Sequence, residues 1–491
     1  MESYLPTTNI STVKMVALLS VGNINQNIKN LEYAVRGPLV IRAVQLAKEI
    51  EAGAEKPFKN VIRANIGDCH AMNQKPLTFY RQVIACASNP SLMETDLDIP
   101  SDVKERVAAI LNACGGKSVG AYSDACGIEL IRRQCAKYIE KRDGIESDWQ
   151  NIFLTTGASE VVKTMLSFIN HSSKPGLPVG VMIPIPQYPL YSATLCELGI
   201  HQVSYYLDED NDWRLEVSEL ERAFNEAREK CDIRVIVVIN PANPTGAVLS
   251  RENILQVIEF AKAHNLLIIA DEVYQHNIWA EGAQFYSFKK CMHEVGVNTE
   301  LVSMMSASKG YMGECGLRGG YGELVNFTPE VKAVFYKLLS ARLCCSVLGQ
   351  IAMSCVVNPP EPGEPSYDLF EAERSKILRD LKAKAKLVAD TFNSIDGITC
   401  NKVAGAMYAF PRLQLPEKFI KSAEESGQKP DFLYLMSLLE EAGICVVPGS
   451  GFGRKPGTYH FRTTILPQPD TFNDMMERFK RFHVNFIKQH S

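Results

Sequence analysis

From about residue 150 the chain alternates short apolar runs with helical patterns, and this alternation constrains the fold more than any other feature. "NIFLTTG" leads into the helical "ASEVVKTMLSFI", and "GVMIPIPQYPLY" into "SATLCELG". "IRVIVVINP" is followed by a turn and then "RENILQVIEFAKAHN"; "LLIIADEVY" and "LVSMMSASKG" come next. Runs this apolar belong to strands covered on both faces, which is the pattern of a mainly parallel sheet flanked by helices. The expected fold is therefore α/β. In such a sheet ligands bind beyond the carboxyl ends of the strands, and the unusual polar residues of this chain lie at the ends of successive apolar runs.

A chain of 491 residues exceeds what one hydrophobic core usually serves, so more than one domain is expected. A proline-rich break, "VVNPPEPGEPSY" (residues 356–367), reads as an exposed connection that excludes a continuous helix. Beyond it a long charged amphipathic helix opens a smaller α+β domain over residues 368–491. The large domain is read as residues 86–367, the small one is completed by residues 31–85, and residues 1–30 form an N-terminal extension or arm.

With 46% hydrophobic and 22% charged residues the composition is that of a soluble globular protein. A net charge of −4 without basic clusters argues against nucleic acid as a partner, and no apolar run has the length of a membrane span. None of the fourteen cysteines forms a C-x-x-C, so a reduced compartment is expected. The vicinal Cys344 and Cys345 read first as buried small hydrophobes and only second as a redox pair. The first thirty residues fit neither a secretory signal nor an arginine-rich presequence, so a cytoplasmic location is expected, with the mitochondrion as the second option.

Four segments carry chemistry. In "TTGAS" a strand ends in Gly157 and opens a helix at Ala158 and Ser159; free backbone N–H groups there suit a phosphate, although alone the segment is an ordinary capped turn. "NPANPTG" (240–246) is a rigid loop presenting the amide of Asn243, or a plain turn. "LLIIADEVY" places Asp271 at the end of a buried strand, where a carboxylate asks for a cationic partner; Glu272 is read as facing solvent or capping the turn, and Tyr274 follows. "SASKGYMGECGLRGGY" (306–321) holds Lys309 among small residues, with Ser306, Ser308 and Arg318 beside it. A lysine there is expected to have a lowered pKa and act as a nucleophilic amine, and Arg318 offers a fork for phosphate. A phosphate site, an aldehyde-reactive amine and an acid for a pyridinium nitrogen match pyridoxal 5′-phosphate.

These segments resemble, in order and spacing, the fold-type I pyridoxal-phosphate aminotransferases. Longer stretches, "EYAVRGPL", "VIRANIGD", "IPIPQYPLYSATL", "GICVVPGSGFG" and "TYHFRTTILP", resemble the alanine aminotransferase branch, and the likeness runs from about residue 31 to the C-terminus. The resemblance implies a large domain with a mainly parallel sheet plus a smaller α+β domain. It implies that Lys309 forms the internal aldimine and later shuttles the proton, that Asp271 pairs with the pyridine nitrogen, and that Asn243 and Tyr274 serve the ring's phenolic oxygen. Ala158, Ser159, Ser306, Ser308 and Arg318 correspond to phosphate ligands. Tyr188 in "PQYPLY" corresponds to the aromatic on the ring face, though beside two prolines it also reads as a core tyrosine. Tyr122 in "GAYSDACG" corresponds to a tyrosine that reaches the neighbouring subunit's cofactor, which implies a homodimer. Arg462 in "HFRTT" corresponds to the arginine for the substrate α-carboxylate, and Gly67 in "NIGD" to a backbone position beside it; standing alone, Arg462 would read as a surface arginine on an edge strand.

The implied reaction is L-alanine plus 2-oxoglutarate to pyruvate plus L-glutamate by ping-pong transfer. The rivals are a pyridoxal-phosphate enzyme of other specificity (a lyase, or a transaminase of glyoxylate or aromatic amino acids) and a catalytically idle regulatory protein of the same fold. No metal is implied.

Overall fold

The computed structural model describes residues 19–490; the targeting reading of the N-terminus lies largely outside them. Seven strands form the central sheet: β1 (Ile152–Thr156), β2 (Val179–Ile185), β3 (His201–Tyr206), β4 (Asp232–Ile239), β5 (Leu267–Asp271), β6 (Leu301–Ser306) and β7 (Gly319–Val325). Their order across the sheet is β1-β7-β6-β5-β4-β2-β3. All neighbours are parallel except β7, which runs antiparallel to both β1 and β6. Every residue of β2, β5 and β6 is buried, as strands with both faces under helices require.

The sheet is thus mainly parallel, as expected, and two of its strands give no such signal in sequence. β7 begins "GGYG", and glycine weakens a strand unless another backbone comes close. Here one does: a Cβ on Gly320 would stand 2.7 Å from the Gly157 carbonyl carbon and 2.8 Å from the Ala158 nitrogen. β3, "HQVSYY", is an edge strand half open to solvent, and its apolar content is correspondingly low.

Helices Ala158–Phe168, Leu190–Leu198 and Arg251–Ala263 fall where the helical patterns of the sequence put them. The long helix after the proline-rich segment spans Tyr367–Asn393. That segment is less exposed than its prolines suggest. Helix Val347–Val357 runs into its start, and Arg106 fastens it by donating to the carbonyls of Asn358 and Pro359 and to the Glu364 carboxylate. Every cysteine is free, with Cys345 buried and Cys344 partly so.

A three-stranded antiparallel sheet is built from Tyr408–Ala409, Phe461–Thr464 and Val447–Pro448, with Phe461–Thr464 in the middle. The N-terminal region joins the C-terminal one through a parallel pairing of Ile62 with Ile444 and Arg63 with Cys445. Among the described residues no helix is long and apolar enough to cross a membrane, and no cluster suited to a metal ion occurs.

Candidate active site

A cavity of about 1060 Å³ opens at the carboxyl ends of β1, β5 and β6. Its walls include Thr156, Ala158, Ser159, Asn243, Asp271 and Lys309. Because β7 is antiparallel, its start rather than its end faces the same rim, and Arg318, one residue before it, lines the cavity.

The rim beneath Arg318 is shaped by backbone. Gly157 takes φ +79° between β1 and the helix Ala158–Phe168, and a Cβ there would stand 2.4 Å from the Arg318 guanidinium. Arg318 itself takes φ +57° and donates to the Cys315 carbonyl at 3.0 Å, the Thr156 carbonyl at 3.3 Å and Ser159 Oγ at 3.1 Å. A fixed cationic fork therefore lies over a helix N-terminus, which favours a phosphate dianion. The Ser308 hydroxyl is buried beside it without a partner. Ser306 is engaged otherwise: its hydroxyl donates to the Gly319 carbonyl at 3.2 Å and accepts the Ser308 N–H at 3.0 Å, holding the turn that carries Lys309.

Asp271 ends β5 and is buried. One oxygen accepts from the Tyr191 hydroxyl at 3.0 Å, and the other has no partner. Burial pushes its carboxyl up to about 6, against the pull of Tyr191, the Val273 N–H and Lys309. Burial outweighs these partners, and a carboxylate so placed favours a closer cation. Glu272 corrects the expectation of a solvent-facing residue: it is fully buried, accepts from the Phe288 N–H at 2.9 Å and Ser303 Oγ at 2.7 Å, and lies 3.9 Å from Arg142. Its carboxyl is pushed up to about 7 by burial. Adjacent strand residues face opposite sides of a sheet, and here both sides are covered.

Lys309 is half-buried and donates to the Gly67 carbonyl at 2.9 Å. Its ammonium differs from expectation. Burial acts to lower its pKa, but the Tyr408 hydroxyl and the thiols of Cys315 and Cys69 outweigh burial and Arg462, so the lysine is held above its ordinary value. Tyr408 responds in the opposite sense: burial raises it, yet Lys309, Arg462 and the Tyr274 hydroxyl bring it below the ordinary phenol value.

Tyr408 is the residue the motifs did not reveal. It is buried, accepts from the Tyr274 hydroxyl at 3.3 Å, and fills the space above Gly67, where a Cβ would stand 2.0 Å from its hydroxyl oxygen. That contact explains the glycine at 67. The available signal was a hydroxyl within the apolar strand "MYAF", which is weak. Tyr191 and Tyr33 also escaped notice; the Tyr33 hydroxyl lies 3.0 Å from that of Tyr188, which is half-buried at the cavity wall.

Arg462 is 1% exposed, which removes the surface-arginine reading. The small sheet pairs Tyr408 with Thr464, putting Tyr408 on the diagonal from Arg462, and the guanidinium lies over the Tyr408 ring at 4.2 Å and Phe452 at 4.9 Å. It donates to Asn243 Oδ1 at 3.1 Å and the Asn65 carbonyl at 2.6 Å, while its Nε is buried without a partner. Among the described residues Arg462 has no carboxylate partner, and a buried arginine so placed suits one brought from outside. Tyr122 is not brought to this cavity; it is 78% exposed.

The residues present fit pyridoxal 5′-phosphate. Unpartnered buried atoms of Asp271, Ser308 and Arg462 converge with a primary amine and an anion-shaped rim.

Comparison with known proteins agrees. The family described as aminotransferase class I and II matches residues 82–479. The chain is 54% identical over 479 residues to alanine aminotransferase 2 of Xenopus tropicalis, covering 96% of this chain and 91% of that protein. It is 52% identical to alanine aminotransferase 1 of Homo sapiens, covering 96% of each. Among solved structures, an alanine aminotransferase from Pyrococcus furiosus superposes with a TM-score of 0.73 at 23% identity, over 94% of this chain and 100% of that one, a likeness of fold. The chain belongs to the class I and II aminotransferases, enzymes that depend on pyridoxal 5′-phosphate.

Proposed function

We propose that the protein is an alanine aminotransferase, exchanging the amino group of L-alanine with 2-oxoglutarate to give pyruvate and L-glutamate. The observation that carries the transaminase reading is Arg462, buried and open at Nε, in the same cavity as Lys309 and Asp271. Alanine as the donor rests on the relatives named alanine aminotransferase, which align over nearly the whole chain.

Ala158, Ser159, Ser308 and Arg318 would hold the cofactor's phosphate, with Ser306 fixing the turn, and Tyr188 would flank its ring. Asn243 and Tyr274 would donate to the ring oxygen. When bound, pyridoxal 5′-phosphate supplies an electron sink for the charge that develops at the substrate α-carbon. Asp271 would keep a proton on the cofactor's ring nitrogen by staying ionised beside it. Arg462 takes the α-carboxylate in a bidentate grip, which fixes the α-carbon relative to Lys309. Lys309 Nζ would take the α-proton as base and, as the conjugate acid, give it up on the far side of the transferred nitrogen. Tyr408 lies within reach of both Lys309 and Arg462 in charge terms and steadies the protonated amine.

The wider organisation follows the same reading. Division of the chain into a large domain and a small domain completed by residues near its N-terminus is supported by the pairing of Ile62 with Ile444. A homodimer is supported by the exposure of Tyr122, an aromatic with no role in its own cavity. The cytoplasm is the proposed compartment, with the mitochondrion as the second option.

The test is a coupled assay with alanine and 2-oxoglutarate that monitors pyruvate, run beside a panel of other amino donors. The expected outcome is a marked preference for alanine. Preference for glyoxylate-linked or aromatic donors would replace this reading, and purified protein that gains no colour with added cofactor would end it. Lys309→Ala is expected to abolish turnover and the visible absorbance of the cofactor-loaded enzyme.

A further inference from the structure

The proposed reaction asks one cavity to serve two amino donors that differ at the end remote from the reacting carbon. Alanine ends in a methyl group, and glutamate in a second carboxylate. Something must recognise that carboxylate without hindering alanine.

Six cationic side chains line the cavity, and five are engaged. Lys163 pairs with Glu197 at 2.6 Å, Arg342 with the Thr164 hydroxyl, and Lys309 with the Gly67 carbonyl. Arg318 and Arg462 are held as described above. Arg36 is the sixth, and among the described residues it has no side-chain hydrogen-bond or ion-pair partner.

Its place is built rather than incidental. Arg36 ends the turn Ala34–Arg36, and its N–H donates to the Tyr33 carbonyl at 3.1 Å. Tyr33 meets Tyr188, hydroxyl to hydroxyl, at 3.0 Å on one side of the turn. On the other side Ala34 fits where Gly451 lacks a side chain; a Cβ there would stand 2.2 Å from the Ala34 Cβ. The segment holding Gly451 also holds Phe452, whose ring lies 4.9 Å from the Arg462 guanidinium. One short segment thus anchors both cations, Arg462 buried at depth and Arg36 exposed at the mouth.

We propose that Arg36 binds the distal carboxylate of glutamate and 2-oxoglutarate, and so sets the preference for a dicarboxylate as the second substrate. The proposal rests on the reading of the protein as a glutamate-forming aminotransferase. With the α-carboxylate on Arg462 and the α-carbon at Lys309, Arg36 is the cation of the same cavity left for a second carboxylate. A guanidinium is weakly hydrated and pairs bidentately with a carboxylate, so it recognises one even where solvent is near. Alanine does not extend that far and leaves Arg36 in water.

The test uses the cofactor-loaded full chain and its variants Arg36→Gln and Arg36→Lys. Single-turnover reactions with L-glutamate and with L-alanine are followed separately by the absorbance of the bound cofactor. Equilibrium binding of glutarate and of propionate is measured alongside. In Arg36→Gln the apparent affinities for glutamate and glutarate are expected to fall about tenfold, the loss of one partly solvated charged hydrogen bond, with Arg36→Lys between it and the parent. Alanine and propionate are expected to move by less than twofold. Glutamate and glutarate unchanged within twofold would overturn the proposal, and so would equal weakening of all four ligands. Failure of the parent enzyme to use alanine, with the glutamate effect intact, would remove the alanine reading and leave this one standing.

Discussion

Lys309 and Tyr408 shift each other's proton affinity in opposite directions. The tyrosine is the largest influence keeping the lysine protonated, and the lysine is the largest holding the phenol down. Tyr408→Phe keeps the ring under Arg462 but removes this partner, so the Lys309 amine should lose its proton at lower pH. Capture of added pyridoxal 5′-phosphate by the cofactor-free variant should therefore be faster at pH 7 than in the parent, with the two converging at high pH; an unchanged pH profile would refute the coupling. Gly67→Ala attacks the same contact by steric means. A Cβ 2.0 Å from the Tyr408 oxygen displaces it, and displacement of a group by about 1 Å beside the reacting atoms is expected to cost about a hundredfold in kcat/KM. At this scale the sequence revealed the groups with unusual neighbours in the chain, such as Lys309 among small residues and Asp271 after an apolar run. It could not reveal Tyr408, because what sets that residue apart is contact with Gly67, Tyr274 and Arg462, all distant in sequence.

At the scale of elements, the site depends on where β7 begins. Its opening glycines let it pass directly beneath the turn at Gly157, and this brings Arg318 over the helix N-terminus at Ala158. Gly320→Ala would press a methyl against backbone at 2.7 Å, where no side chain can swing aside. The expected result is a loss of about 1–3 kcal/mol of stability by denaturant titration, the usual cost of overpacking. Cofactor affinity should weaken with it, since the strand must retreat from the turn it supports. Retained affinity at reduced stability would mean that β7 and the phosphate rim move independently. The buried parallel strands were legible in sequence because both faces are covered and most positions are apolar. β7 and β3 were not, since one trades side chains for close backbone approach and the other is a solvated edge. Glu272 was misjudged for a related reason: alternation along a strand predicts one inward and one outward residue, and helices here make both directions inward.

Across the whole molecule, the protein carries two buried carboxyls whose burial outweighs their partners. Asp271 and Glu272 stand at about 6 and about 7, both raised by burial from the ordinary range. Between about pH 4 and 7 the folded chain therefore binds more protons at these sites than the unfolded chain. Their contribution to stability is complete below about pH 4 and is lost as pH rises through 6 and then 7. For Asp271 alone the loss is about 3 kcal/mol, enough to lower the melting temperature by several degrees. The cofactor-free protein is thus expected to melt lower at pH 8 than at pH 5.5 through this contribution, and Asp271→Asn should flatten that dependence while leaving the part due to Glu272. If loading with pyridoxal 5′-phosphate sets a protonated ring nitrogen against Asp271 as proposed, it should flatten the dependence in the same way, besides raising stability at every pH by mass action. Thermal melts of the parent and of Asp271→Asn at the two pH values, each with and without cofactor, separate these effects. If cofactor-free parent and variant showed the same pH slope, Asp271 would not be carrying an uncompensated charge, and the cation it is built to receive would have to be sought elsewhere.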